Sequence, residues 1–406
     1  MSISALLSQN NFHYSSATRS SSTASKATPN EQQNTDASDK LEKAVARKES
    51  VDRLIDEFRE ALALQVHRES RSSKDTASDL VDTIIMANAN NVITTGEGDD
   101  AIAVNAQNTI DAGDGDNKIR ANANNTITTG SGDDVIFVNA GNSIFAGDGH
   151  NVIHANADNT IITGRDDDVI RVNAGNTIDA GDGNNIIGTN ADNTITSGKG
   201  DDVISANAGN VISSGAGDDH IEANADNSID TGSGNDTISV NSSNVIHSGS
   251  GDDIIHVNSG NTIVAGSGDD IIRGNTKNVI DAGAGNDTIH VGSDSVVNFK
   301  KGDGADTVST SGDLVIRIGP GFTADDMSIS HEDNGTVLSF AGTEDSITVR
   351  GSPTSSIQVT FSDGGGVNFN AHGSILNLAG IEQYQSPASA DGTAEAASLP
   401  SQGIVV

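Results

Sequence analysis

The sequence predicts an all-β fold, a parallel β-solenoid of seventeen-residue turns, on three observations. Glycine recurs at a fixed spacing of seventeen, from Gly96 and Gly113 through to Gly266 and Gly283. Isoleucine fills two further columns at the same spacing without exception, Ile102 to Ile289 and Ile93 to Ile280. Around Ile102 and its equivalents the flanking residues vary, while the residue two past (Val104, Ala121, Val138, Ala155) stays small and mostly apolar. A strict period marks one small unit stacked on itself. Alternation with period two marks a strand with one face turned inward.

Each turn is expected to hold two three-residue strands joined by two corners, the second strand running through Ile93 and Thr95 and their equivalents. With identical residues stacked about 4.8 Å apart, twelve such turns extend roughly 55 Å. The inward isoleucines supply the core. Two asparagine columns, Asn105 to Asn275 and Asn91 to Asn278, are expected to form corner ladders. Their amides would satisfy backbone groups that a tight, partly buried corner otherwise orphans.

Composition agrees with a thin, stacked core. The 406-residue chain has no Cys or Trp, 3% aromatic residues and 45 glycines. That is too little bulk for a conventional core, but a solenoid needs only to bury each turn on the next. The absence of cysteine excludes a disulfide framework. Residues 1–78 hold 11 basic and 11 acidic side chains, so the net charge of −35 falls entirely on the rest of the chain. Such a surface repels nucleic acid and draws cations. No apolar stretch is long enough to span a membrane. Ile3 to Leu7 is too short an apolar run, without a charged n-region, for a Sec-type signal.

Four regions follow in order. Residues 1–78 are read as a disordered Ser-rich stretch, 1–35, followed by an amphipathic helix over about 39–68. Asp39 with Glu42 forms its candidate cap, and Leu41, Val45, Val51, Leu54, Ile55, Phe58 and Leu62 form an apolar stripe. The helix is expected to pack over the open first turn, or to bind a partner. Residues 79–294 are the repeats. Residues 295–380 alternate β-branched and polar residues, as in Leu314 to Ile318 and Ser346 to Val349, and are read as strands and hairpins closing the stack. Residues 381–406 are an Ala/Ser-rich tail, flexible and a candidate secretion signal.

The chemistry lies in the first corner of each repeat. It reads small-Gly-x-Gly-acid/amide-acid/amide-x-Ile-x, as in Thr129 to Phe137 and Ser248 to His256. The glycines permit φ > 0 and leave their carbonyls unshielded; the closing aspartate adds a carboxylate. Hard oxygen ligands in a flexible cage suit Ca²⁺, whereas Mg²⁺ demands a stricter octahedron. Zn²⁺ would call for Cys or His, which these corners lack apart from His150 and His220. Gly and Asp are also ordinary turn residues. Carboxylates stacked in register repel, however, unless cations lie between them.

These corners resemble the nonapeptide Gly-Gly-x-Gly-x-Asp-x-apolar-x of the RTX family, the hemolysin-type calcium-binding repeats. The resemblance covers residues 95–290, and residues 298–380 are similar to the region that follows the repeats in such proteins. It implies a parallel β-roll with Ca²⁺ between turns. It also implies export of the unfolded chain by a type I secretion apparatus of a Gram-negative bacterium, and folding on external calcium. Position by position, the family's aspartate falls on Asp100, Asp134, Asp168, Asp202, Asp219, Asp236, Asp253, Asp270, Asp287 and Asp306. Its carbonyl-donating glycines fall on Gly96 and Gly98, Gly130 and Gly132, Gly198 and Gly200, Gly215 and Gly217, Gly232 and Gly234, Gly249 and Gly251, Gly266 and Gly268, and Gly283 and Gly285.

The chain departs from the family pattern in four ways. Thr, Ala or Ser stands at the family's first glycine. Asn117, Asn151 and Asn185 replace the aspartate in alternate early turns, each with an aspartate three residues earlier (Asp114, Asp148, Asp182). These turns are expected to bind more weakly or differently, so calcium affinity should be graded and strongest toward the C-terminal half of a uniform fold. Asp166 replaces a second glycine, where a left-handed conformation is expected. The other half-turn is an eight-residue asparagine segment rather than a second nonapeptide, so a single calcium row on one edge is expected.

The expected function is that of a secreted, non-enzymatic calcium-binding protein whose array folds outside the cell, with a surface, adhesive or host-interaction role. No His-Glu-x-x-His or Gly-x-Ser-x-Gly motif supports an enzyme. An ice-binding solenoid is the alternative drawn from the outward Thr109, Thr126, Thr160, Thr177, Thr194 and Thr262, and an effector delivered to a host cell is a further one. The outward histidines His154, His256 and His290 are read as solvent-facing and incidental.

Overall fold

A computed structural model describes residues 82–332, 335–370 and 375–379. The helix expected over 39–68, the stretch 1–35 and the tail 381–406 lie outside these residues. The described chain forms thirty-four strands, β1–β34 in chain order, and no α-helix. It is an all-β parallel solenoid. Odd-numbered strands from β1 (Ile84–Ala87) to β27 (Ala305–Thr310) stack in one sheet, and even-numbered strands from β2 (Val92–Thr94) to β28 (Leu314–Ile318) stack in the other.

The register repeats the sequence period. Ile102 pairs with Ile119 and Ile110 with Ile127, each seventeen residues on. The two isoleucine columns meet between the sheets and are buried from Ile93 onward, most of them completely. Because each isoleucine packs in a near-identical site, each carries a similar share of stability. Truncating Ile187, 1% exposed in the middle of the stack, to alanine is expected to cost about 2–5 kcal/mol. Denaturant unfolding in saturating calcium would read it.

The strands are unequal, contrary to the expectation of two three-residue strands. β3 (Ala101–Ala106) and its equivalents mostly run six residues, while β4 (Thr109–Asp111) runs three. The longer strand continues through Asn105, whose amide joins a ladder on the outer surface, Asn105 Nδ2 to Asn88 Oδ1 at 3.0 Å and Asn122 Nδ2 to Asn105 Oδ1 at 2.9 Å. It ends where the very next residue turns left-handed, as at Gln107 (φ 59°), Asn124 (φ 55°) and Asp158 (φ 55°). The buried asparagine then closes the corner. Asn125 Oδ1 accepts from the Asn108 backbone N–H at 2.9 Å, and Asn125 Nδ2 donates to the Asn105 and Ala123 carbonyls and to Asn142 Oδ1. These ladders leave the asparagine edge fully bonded.

Both sheets finish in antiparallel strands. β31 (Ser346–Gly351) adds parallel to β27 and is then covered by β30 (Gly335–Phe340) and β29 (Met327–Glu332). In the other sheet β32 (Ser356–Phe361) adds to β28, followed by β33 (Gly366–Asn370) and β34 (Ile375–Ala379). Phe299 takes the column that holds Ala265 and Ala282 in the turns below. It stacks with Phe340 at 5.4 Å, and Phe340 with Phe322 at 4.3 Å, so an aromatic plug seals the isoleucine core. Asp345 accepts from the Gly302 and Gly304 backbone N–H groups at 2.9 and 3.2 Å, donors that would otherwise point past the last corner.

Candidate metal centre

The glycine corners lie together along one edge and the asparagine corners along the other, which follows from the strand order. Close stacking explains why the glycine column never fails. In that unbroken column Gly215 has φ +102°, and a Cβ there would collide with the carbonyl oxygen of Gly198 one turn earlier. Asp166 corrects one expectation. It is not among the non-glycine residues with positive φ, and its Oδ2 instead accepts from the Gly149 backbone N–H at 2.9 Å.

The two acidic positions after the glycines play opposite parts. The first faces out and accepts from the turn that follows, as Asp133 Oδ1 from the His150 N–H at 2.8 Å. The second is buried and accepts from the turn that precedes. Asp134 Oδ1 takes the Asn117 N–H at 2.8 Å, Asp202 Oδ1 the Asn185 N–H at 2.7 Å, and Asp219, Asp236, Asp253, Asp270 and Asp287 continue at 2.8–2.9 Å. Asp306 closes the column on the Asp287 N–H at 3.0 Å. One oxygen of each carboxylate is thereby consumed.

The other oxygen is the informative one. Oδ2 of Asp100, Asp134, Asp168, Asp202, Asp219, Asp236, Asp253, Asp270 and Asp287 is buried and accepts no well-formed hydrogen bond, although hydroxyls such as Thr129 beside Asp134 and Ser197 beside Asp202 approach these carboxyls and partly oppose their upward shift. Stranded buried acceptors are costly. The asparagine turns reveal what surrounds that position. Asn117 uses Oδ1 as the aspartates do, accepting from the Asp100 N–H, and its Nδ2 donates to the carbonyls of Gly113 and Gly115 at 3.2 and 2.8 Å. Asn151 does the same to Gly147 and Gly149 at 3.3 and 2.9 Å. In an aspartate turn the matching Oδ2, once ionised, has no hydrogen to offer to such carbonyls. Oxygens gathered from a carboxylate and from glycine carbonyls make a donor set for a hard cation, and Ca²⁺ fits it. Among the described residues no three His, Cys, Asp or Glu side chains converge as a metal-binding group, so the set depends on backbone oxygen and not on a side-chain cage.

Burial shifts these carboxyls upward. It raises Asp202, Asp236, Asp270 and Asp306 to about 8, Asp168 and Asp287 to about 7, and Asp134, Asp219 and Asp253 to about 6. Neighbouring carboxylates add to the rise at Asp202, Asp236, Asp270 and Asp306. The sign follows from linkage. Below about pH 4 both the folded and unfolded states hold these protons, and no penalty exists. Above it the unfolded chain releases protons that the fold retains, so stability falls as pH rises through 4 to 8. Chelated protein is therefore expected to unfold at lower denaturant concentration at pH 8 than at pH 5. A midpoint that rises with pH would contradict this.

Sequence reasoning missed the hydroxyl column beneath the acids. Thr95, Thr129, Thr163 and Ser197 precede the turns of Asp100, Asp134, Asp168 and Asp202, whereas Ala112, Ala146 and Ala180 precede those of Asn117, Asn151 and Asn185. The hydroxyls are buried and donate to the carbonyl one turn on, as Thr129 Oγ1 to Ala146 O at 2.6 Å. A 34-residue superperiod in the sequence carries this signal. Asp114, Asp148 and Asp182 are placed outside the site: Asp114 accepts from Ser131, and Asp148 and Asp182 pair with Arg165 and Lys199 at 3.5 and 3.3 Å. Two of the three histidines are also more engaged than expected. His154 stacks on Phe137 at 5.2 Å and His256 meets Arg273 at 3.2 Å.

Ten overlapping segments spanning residues 82–295 match the family model described as the RTX calcium-binding nonapeptide repeat. That span is more than half of the chain. No curated protein matches it.

Proposed function

We propose a role that starts from the family to which this chain belongs, the RTX proteins with calcium-binding nonapeptide repeats: the protein is secreted, is not an enzyme, and completes its fold only when it meets calcium outside the cell. The observation that carries this reading is the column of buried aspartates with nine unpartnered Oδ2 atoms along one edge. Metal binding to a site that the unfolded chain lacks is folding free energy. Extracellular modules bind Ca²⁺ at about 10⁻⁴–10⁻³ M, so cytosolic calcium leaves the acidic edge unfilled and external calcium fills it. Among the described residues no helix is long and apolar enough to cross a membrane. A stacked solenoid with one acidic edge suits a surface, adhesive or host-interaction role.

Export supplies the test. In a Gram-negative host carrying a type I apparatus, the full chain is expected in the medium. Deleting residues 381–406 is expected to retain it in the cell, while deleting residues 1–35 leaves export intact. The reverse pattern would overturn the C-terminal route and favour delivery as an effector.

A further inference from the structure

The acidic edge is not one continuous site. From Asp202 to Asp306 every turn places a buried aspartate at the closing position, seven in succession: Asp202, Asp219, Asp236, Asp253, Asp270, Asp287 and Asp306. From Asp100 to Asn185 aspartate and asparagine alternate. We infer that Asn117, Asn151 and Asn185 stand in for the cation in their turns, so that residues 101–197 keep their fold without calcium while residues 198–310 require it. The inference rests on the calcium reading above and assigns the sites within it.

Four observations support it. The asparagine amides already donate to the glycine carbonyls of their own turns, at 2.8–3.3 Å in Asn117 and Asn151. Asn185 donates to Gly183 O at 3.1 Å and to Ser197 O at 3.2 Å. The side chains of Asn117, Asn151 and Asn185 leave no buried oxygen stranded, and an ion there would have to displace the amide. Second, alternation separates the carboxylates. Neighbouring buried aspartates in the C-terminal run sit one turn apart, about 4.8 Å, whereas Asp100, Asp134 and Asp168 are two turns apart. Third, the outer acids of the early corners are met by cations and donors: Arg165 on Asp148, Ser131 on Asp114, His150 on Asp133, and Lys199 reaching back from the Asp202 corner to Asp182. The later corners place Ala216, Ser233, Ser250, Ser267 and Ala284 at the same position, and positive charge returns at the end of the run, where Lys300 meets Asp281 at 3.1 Å and Asp303 at 3.6 Å.

The fourth observation is the backbone. Successive bridges run through the residue between the two glycines, Asp182 to Lys199, Lys199 to Ala216, Ala216 to Ser233 and Ser233 to Ser250. In this stretch the Ala216 and Ser233 N–H groups donate to Gly198 O and Gly215 O at 3.0 and 2.9 Å. In an earlier turn the glycine itself donates instead, Gly130 N to Gly113 O at 2.7 Å. The corner geometry changes at the last asparagine corner, where the Asp182 N–H already donates to Gly164 O at 3.1 Å. Calcium would then gate the half of the array nearer the C-terminal tail, the half that an export signal in that tail would bring out first.

Hydrogen exchange on the full chain at pH 8 tests this, comparing excess calcium with excess chelator. Chelator is expected to speed exchange of peptides from 203–291 by about tenfold or more, while peptides from 101–191 keep their protection. Loss of protection in both halves together overturns the inference and leaves the calcium reading standing. No change in either half overturns both. The triple variant Asn117→Asp, Asn151→Asp, Asn185→Asp adds a second arm. It should be protected in calcium as the wild type is, and should lose protection over 101–191 in chelator. Protection that persists there in chelator overturns the inference.

Discussion

Adding chelator to the calcium-loaded protein at pH 8 is expected to abolish a large part of its far-UV β signal and to lower its unfolding midpoint sharply. The magnitude follows from linkage. One site at calcium a hundredfold above its Kd contributes about 2.7 kcal/mol to stability. The seven uninterrupted aspartate turns from Asp202 to Asp306 would together contribute on the order of 15–20 kcal/mol, more than the roughly 5–15 kcal/mol net stability of a typical domain. Without the ions, two ionised neighbours about 4.8 Å apart repel by roughly 3–4 kcal/mol at an effective dielectric near 20. Burial adds to that cost, as the upward shift of every one of these carboxyls indicates. Magnesium at equal concentration should restore little of the signal, because the donor set is built from flexible corners and not from a tight octahedron. Equal midpoints in calcium and chelator would contradict this account of stability.

Replacing Gly217 with valine is expected to cost about 4 kcal/mol or more even in saturating calcium. Two penalties combine. A β-branched residue is strained at φ +133°, and its Cβ collides with the Gly200 carbonyl oxygen of the turn below. That carbonyl is rigid backbone inside the stack, so the clash can be relieved only by separating two turns, which also breaks both strand ladders between them. Gly260 is the control. Its φ is +71°, nothing lies within 4 Å of an added Cβ, and Asn124, Asp158 and Asp192 hold the same corner position at φ 55–57°. Gly260→Asn is therefore expected to be nearly neutral. Denaturant midpoints of the two variants, measured side by side, separate a stacking requirement from a general need for glycine.

The isoleucine and asparagine columns were legible because stacking gives every turn the same environment, so one physical requirement is written twelve times. Strand length was less legible. Val104-Asn105-Ala106 reads as the approach to a corner, but the outer asparagine ladder keeps it in the sheet. The C-terminal alternation announced strands, while the pairing of β27 with β31 across a gap of 41 residues depends on the β29–β30 hairpin standing aside. In the candidate site, the aspartates could be placed by spacing alone. Their division of labour could not: the Asp133-type and Asp134-type carboxylates look alike in sequence, yet one faces solvent and the other leaves an oxygen stranded in the edge. The meaning of Asn117 likewise came only from its amide, which fills with hydrogen what an aspartate leaves for a cation.

The central claim is that calcium lies along the aspartate edge and nowhere else on the stack. Anomalous difference density from crystals grown in calcium tests it most directly. The account predicts a single row of peaks beside the buried aspartates, continuous from Asp202 to Asp306, with none among the Asn108 to Asn278 corners. Peaks on the asparagine edge, or an aspartate edge without any, would contradict it.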